Sequence, residues 1–212
     1  MKQPIKCILS DLGKVVAEYD NELTVTRFTS WTAQPAVQVR SVLFNPHHGL
    51  HGAFEEGKFD PESFREAIRI ACDLHPELDD ETFDDIYANI FTPMTEVQTL
   101  WRRLRAKGIT FTAVSNIDWI RWEPLVTMGL PNLFDHLILS CDEKLAKPSK
   151  ELMVRALNKS GAKAETTLFI DDKPENLMPA AELGIRVHQY ETYGGLLKFL
   201  EEQGLGAYLF AN

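Results

Sequence analysis

Short apolar runs alternate with amphipathic stretches along most of this chain. Five runs, Ile5–Ser10, Ile109–Val114, Leu137–Ser140, Thr167–Ile170 and Ile185–His188, are rich in Ile, Val, Leu, Phe and Thr. Near-continuous apolarity over so few residues predicts strands buried on both faces of a parallel sheet. The stretches between them follow a helical period. Val97, Leu100, Trp101 and Leu104 fall at i, i+3, i+4 and i+7, and Gly108 stands where a left-handed residue ends a helix. Leu152, Met153, Ala156 and Leu157 repeat the pattern up to Gly161, and Leu177, Ala180 and Ala181 lie between Pro174, suited to a first helical turn, and Gly184. Strand and helix in alternation predict an α/β fold, a Rossmann-like parallel-sheet core.

The texture changes between residues 17 and 92, which read as helix and loop only. Asp60-Pro61 has the form of an N-cap and N1 pair, followed by Phe64, Ile68, Ala71 and Cys72 on one helical face. Phe83, Ile86, Tyr87 and Ile90 mark another face, and two earlier helices are expected around Glu22–Trp31 and Ala36–Phe44. Such a block, placed after the first strand, is a lid or a plain helical extension of the core.

Composition narrows the class. The chain has 212 residues, 44% apolar and 25% charged, with 22 Lys and Arg against 31 Asp and Glu and a formal charge of −9. That is too apolar for disorder and too acidic for a general nucleic-acid binder. The three cysteines, Cys7, Cys72 and Cys141, form no C-x-x-C pair and their odd number cannot close into intrachain disulfides. No apolar stretch approaches the length of a membrane span, and the run after Lys6 is too short for a signal peptide. The expectation is a soluble cytoplasmic protein.

The chemistry-bearing residues cluster where the strands end, the place at which open parallel sheets bind ligands. Asp11 follows the first strand, Ser115-Asn116 the second, and Asp171-Asp172 the fourth; Lys147-Pro148 follows the third after a short loop. Taken singly, Asp11-Leu12-Gly13 is equally an Asx-turn, Ser115-Asn116 turn chemistry, and Lys147 a solvated residue ahead of a helix. The Asp171-Asp172 pair is different, because adjacent carboxylates repel unless a helix N-terminus or a hard cation compensates them.

Together these segments resemble the haloacid dehalogenase-like hydrolase superfamily, in the branch with a helical cap inserted after the first strand. Ile8-Leu9-Ser10-Asp11-Leu12-Gly13-Lys14-Val15, Ala113-Val114-Ser115-Asn116, Lys147-Pro148 and Phe169-Ile170-Asp171-Asp172-Lys173-Pro174-Glu175-Asn176 stand in the family's order over residues 5 to 200. The resemblance implies a discontinuous α/β core, residues 1–16 and 93–212, and a small all-helical cap, residues 17–92. It implies that Asp11 is a nucleophile attacking phosphorus and that Lys147 stabilises charge on Asp11 and on the phosphoryl group. Ser115 and the Asn116 backbone N–H would hold phosphoryl oxygens. Asp11, the Gly13 carbonyl and Asp172 would bind Mg²⁺ with Asp171 in support. The implied substrate is a small phosphorylated metabolite.

The chain departs from the family at Gly13, where most of its phosphatases carry a second aspartate that protonates the leaving group and then activates water. A positioned acid–base of this kind is worth about 10²–10⁴-fold. Three readings stay open. One is a phosphatase for substrates with good leaving groups, such as the sugar 1-phosphates implied by a bacterial subgroup with Asp-Leu-Gly-x-Val. The second is a metal-independent 2-haloacid dehalogenase, and the third a weakly catalytic binding or regulatory protein. A positive φ at Gly13 is one expected reason for the glycine. The segment Asn45-Pro46-His47-His48-Gly49-Leu50-His51 reads as an exposed polar loop, since Pro46 and Gly49 spoil a helix; its histidines are the first candidates for a substitute acid. Trp119, Trp122 and Arg121 stand near the expected rim, where they contact substrate or cap or, as the aromatic rings favour, pack against the sheet edge; Tyr208, Leu209 and Phe210 are expected on the core or a partner chain.

Overall fold

The structure, a computed structural model, describes residues 3–209; Met1, Lys2, Phe210, Ala211 and Asn212 lie outside the described residues. Seven strands run in chain order: β1 (Cys7–Ser10), β2 (Ala17–Tyr19), β3 (Phe91–Pro93), β4 (Thr110–Ser115), β5 (His136–Leu139), β6 (Thr167–Asp171) and β7 (Arg186–Gln189). Five of them form one parallel sheet in the order β5-β4-β1-β6-β7. Each of the five apolar runs therefore forms a strand, its ends displaced by a residue or two. Side chains alternate between two apolar layers, as a doubly covered sheet requires. Ile8, Phe111 and Ile170 enter the layer containing Trp101 and Leu104, whereas Cys7, Leu9, Val114 and Phe169 face Leu152, Met153 and Ala156.

The residues between β1 and β4 carry α1 (Asn21–Phe28), α2 (Ala36–Phe44), α3 (Leu50–Glu55), α4 (Pro61–Cys72), α5 (Asp80–Ala88) and, after β3, α6 (Thr95–Ala106). Asp60 and Asp79 cap α4 and α5 by accepting from Ser63 N and Thr82 N, satisfying N–H groups that a helix start leaves open. The first five helices bury their own apolar cluster, with Phe54 stacked on Phe64 at 4.1 Å between ring centroids and Phe28, Leu43, Phe83 and Tyr87 around them. Its joint with the sheet layers is α7 (Trp119–Thr127), whose Ile120 belongs to this cluster and whose Leu125 belongs to the core. The rest of the chain adds α8 (Ser140–Glu143), α9 (Lys150–Ser160), α10 (Pro174–Glu182), α11 (Tyr193–Leu200) and α12 (Gly206–Leu209). Leu209 is buried in the core and Tyr208 is partly exposed.

Three expectations are corrected. Residues 17–92 are not helix and loop only: β2 and β3 pair antiparallel, Ala17 opposite Pro93 and Tyr19 opposite Phe91, so a ribbon ties the two chain crossings together. Three-residue strands with one apolar face are too short to show a period. The helix expected at Glu22–Trp31 ends as α1 at Phe28 and tightens into a 3₁₀ turn over Thr29–Trp31. The histidine segment is a loop only as far as Gly49. His47 and His48 are exposed, but α3 begins at Leu50 and half-buries His51. Pro46 and Gly49 precede the helix, where extended backbone is needed, and interrupt nothing.

Candidate active site

Because β4, β1 and β6 are neighbours, the residues at their carboxyl ends meet on one rim. Asp11 N still donates to Ile170 O at 2.9 Å, so the first carboxylate is held by the ladder itself. Its Oδ1 accepts from Leu12 N at 2.7 Å and its Oδ2 faces Lys147 Nζ at 2.8 Å. The same Nζ lies 2.6 Å from Asp171 Oδ2. Asp171 Oδ1 accepts from Lys173 N and from Asn176 Nδ2, both at 2.9 Å, so both oxygens of this fully buried carboxylate are engaged. Asn176 sits in the first turn of α10, where a proline at N1 presets the helix.

Lys147 lies on the loop after α8 and is held by Asn116. The Asn116 side chain accepts from Lys147 N at 2.7 Å and donates to Lys147 O at 3.0 Å, bracketing the residue before a cis Lys147-Pro148 bond. The resemblance assigns a role to the Asn116 backbone; the side chain has this separate positioning task. Asp11, Gly13, Ser115, Asn116, Lys147 and Asp172 line one cavity of about 600 Å³, part of it open to solvent. Asp171 lies just behind them, completing a group of three carboxylates whose ligand atoms fall within 4.8 Å of one another.

The charges in this group do not balance. The ammonium of Lys147 pairs with two of the three carboxylates, Asp11 and Asp171, while Asp172 feels Lys173, Lys147 and Lys14 only at longer range. Burial pushes Asp11 up to about 6, although Lys147 pulls it down, and burial with the neighbouring Asp171 raises Asp172. Lys147 is pulled down by burial but its two carboxylate partners outweigh that and hold it charged. Among the described residues, no side chain pairs with the Asp172 carboxylate within hydrogen-bond or ion-pair distance. A hard dication fits this donor set of oxygens and would supply the missing positive charge.

Gly13 lines the cavity for a reason other than the one expected. Its φ is outside the left-handed region; what forbids a side chain is Tyr19, whose Cε1 would stand 2.9 Å from an added Cβ. The ring packs on Phe91 at 6.1 Å and lies under Lys14 Nζ at 5.5 Å, contacts that a shift of the ring would loosen. Gly13→Asp is therefore expected to destabilise by about 1–3 kcal/mol through overpacking. Gly13→Asp with Tyr19→Ala should recover much of that loss in a denaturant titration; equal midpoints for single and double variants would remove Tyr19 as the cause.

Of the cavity residues, Glu55 and Tyr19 carry no signal in the sequence, whereas Arg121 stands near the expected rim and His51 in the histidine segment. Arg121 is 3% exposed and lines the cavity, bonded to Asn21 Oδ1 at 2.9 Å and sandwiched by the rings of Tyr87 and Phe44. Trp119, by contrast, donates to Asp142 Oδ1 at 2.8 Å and packs between the two apolar clusters, and Trp122 packs on the core. Glu55, at the end of α3, and His51 reach the same cavity, whereas His47 and His48 do not line it. His51 is held well below the usual histidine range by burial and by Arg121, so it is neutral and is not the proton donor the sequence suggested. Glu55 is pushed up to about 7 by burial and the Asp118 charge. Only the juxtaposition of α3 with α7 and β1 exposes these residues; within the sequence Glu55 is one acid in a Glu-Glu pair.

A family model of haloacid dehalogenase-like hydrolases matches residues 12–184. A glyceraldehyde 3-phosphate phosphatase of Methanocaldococcus jannaschii is 27% identical over 131 residues, 61% of this chain and 52% of that protein. A sesquiterpene phosphatase of Aspergillus oryzae is 27% identical over 133 residues, 62% of this chain and 67% of that one. The chain thus spans about half the length of the first of these relatives. The crystal structure of a Bacteroides thetaiotaomicron enzyme of the same family, in complex with magnesium and inorganic phosphate, superposes with a TM-score of 0.76 at 25% identity, covering 91% of this chain and 98% of that one.

Proposed function

This chain belongs to the haloacid dehalogenase-like hydrolase family, and from that membership we propose that it is a magnesium-dependent phosphatase acting on a small phosphomonoester through an aspartyl-phosphate on Asp11. The observation that carries this reading is the charge-deficient trio Asp11, Asp171 and Asp172 around Lys147. A dehalogenase of the metal-independent kind has no use for a third carboxylate there. The phosphatase names of two relatives and the magnesium and phosphate in a third point the same way.

In this reading a carboxylate oxygen of Asp11 attacks phosphorus, with Lys147 steadying the charge on both. The Ser115 hydroxyl and the Asn116 backbone N–H hold phosphoryl oxygens. Asp11, Asp172 and the Gly13 carbonyl would hold the metal, with Asp171 anchoring Lys147 behind them. Magnesium, when bound, neutralises phosphate charge so that an anionic nucleophile can approach. Residues 17–92 act as the cap over a core of residues 1–16 and 93–212, and the substrate is a small phosphorylated metabolite such as a sugar phosphate. No helix among the described residues is long and apolar enough to cross a membrane. With three buried thiols, the cytoplasm is the fitting compartment.

The deciding assay offers a panel of phosphorylated metabolites and 2-chloropropionate, each with Mg²⁺ and with EDTA. Phosphate release that EDTA stops and Mg²⁺ restores is expected. Chloride release that survives EDTA, with no phosphate released from any ester, would overturn the proposal.

A further inference from the structure

We propose that Glu55 is the general acid–base of this reaction, supplying from α3 the carboxyl group that position 13 lacks; the inference rests on the phosphatase reading above. Three observations place it. Glu55, at the end of α3, lines the same cavity as Asp11, Gly13 and Lys147. Its position is anchored to the rim: its carbonyl accepts from Ser140 Oγ at 2.6 Å, and that hydroxyl in turn accepts from Ile117 N, the residue after Asn116, at 3.0 Å. The turn that follows is pressed onto α8 by Gly57, which has φ +64° and leaves no room for a Cβ, 2.5 Å from Cys141 O. Glu55 therefore belongs to the inserted helices in sequence but is fixed to the catalytic rim in space.

The third observation is the hydrogen-bond chain behind it. Asp118 caps α7 by accepting from Arg121 N at 2.9 Å, and its other oxygen accepts from Tyr87 Oη at 2.7 Å. The single phenol proton of Tyr87 is thereby committed, so Tyr87 Oη can only accept from His51 Nδ1, 2.8 Å away. This assigns the proton of neutral His51 to Nδ1 and leaves Nε2 as an acceptor, 3.4 Å from Glu55 Oε1. That acceptor has two donors within 3.4 Å, Arg121 Nη1 and a protonated Glu55, so it accommodates the carboxylic acid form of Glu55. The charges that face Glu55 are Asp118 and Arg121 from α7, Lys173 from the loop after β6 and Lys147 from the loop after α8; burial and Asp118 outweigh the three cations. Glu55 so sits near the midpoint of its titration at neutral pH, where one group can both give and take a proton. Tyr19 also lines the cavity, but burial pushes its phenol up to about 12, which makes it a far weaker proton donor than Glu55 at neutral pH.

An Asp11 oxygen bonds to phosphorus, the bond from phosphorus to the ester oxygen breaks, and that oxygen takes the Glu55 proton and leaves as an alcohol. Water then attacks phosphorus while passing a proton to the Glu55 carboxylate. The bond to Asp11 breaks, releasing inorganic phosphate and restoring the Asp11 carboxylate and the Glu55 acid.

The test compares an alkyl phosphate with p-nitrophenyl phosphate on wild type, Glu55→Gln and Glu55→Asp, with melting curves for each. Glu55→Gln should lose about 10²–10⁴-fold on the alkyl ester and far less on formation of the aspartyl-phosphate from the nitrophenyl ester, seen as a burst of nitrophenol. Glu55→Asp should recover part of the alkyl activity. In wild type the same preference for the good leaving group should grow as pH rises through about 7, a readout that needs no variant to fold. Equal losses on both esters, no loss, or a leaving-group preference independent of pH would overturn the assignment while the phosphatase reading stands. Wild-type protein that cleaves neither ester, nor any phosphorylated metabolite of the panel, would overturn both.

Discussion

Asp11→Asn is expected to abolish turnover, by at least about 10⁴-fold, in a protein that remains folded. The amide is nearly isosteric and keeps an oxygen for Leu12 N, but it cannot form the phosphoryl ester. Its stability should match or exceed that of wild type at pH 7. The sign follows from the raised pKa: burial disfavours the Asp11 carboxylate, so the folded state loses stability as pH climbs from about 4, the unfolded value, through about 6. Above that range the cost is fully present in wild type and missing in the variant. Phosphate release and a thermal melt at pH 5 and pH 7, run side by side, check both statements. A variant keeping more than about a tenth of the wild-type rate would remove Asp11 from the nucleophile's role.

Lys147→Met should be costly in both activity and stability. The ammonium is 1% exposed and shared by two buried carboxylates at 2.8 and 2.6 Å. Removing one partner of a buried pair costs about 3–5 kcal/mol, because the other charge is left uncompensated. For a domain of this size that lowers the melting temperature by about 6–20 °C. The deficit should shrink as pH falls below about 6, since Asp11 can then protonate. Turnover should drop by about 10²–10³-fold from the loss of charge stabilisation. A melting temperature within about 2 °C of wild type at pH 7 would show that Lys147 is not the compensating charge.

What could be read from the sequence divides along physical lines. The five sheet strands were legible because a doubly covered strand must be apolar at nearly every position, as Cys7–Ser10 and Thr167–Asp171 are. Asp11, Ser115, Asn116, Lys147, Asp171 and Asp172 were legible because each follows such a run or its loop, and the parallel sheet then gathers them. The ribbon of Ala17–Tyr19 and Phe91–Pro93 was not, because its pairing spans the whole insert. Nor was Glu55: it is one acid of a Glu-Glu pair on a short helix, and only the fold turns that helix towards the cavity. The bracket that the Asn116 side chain forms on Lys147 leaves no trace in either segment of the sequence.

The contact between Tyr19 and Gly13 also bears on how this protein can change. An aspartate at position 13 meets the Tyr19 ring, so that change alone carries the overpacking cost, while a smaller residue at 19 alone gives up packing against Phe91. The two positions, six apart, are thus coupled: each change is costly by itself and cheaper once the other has been made.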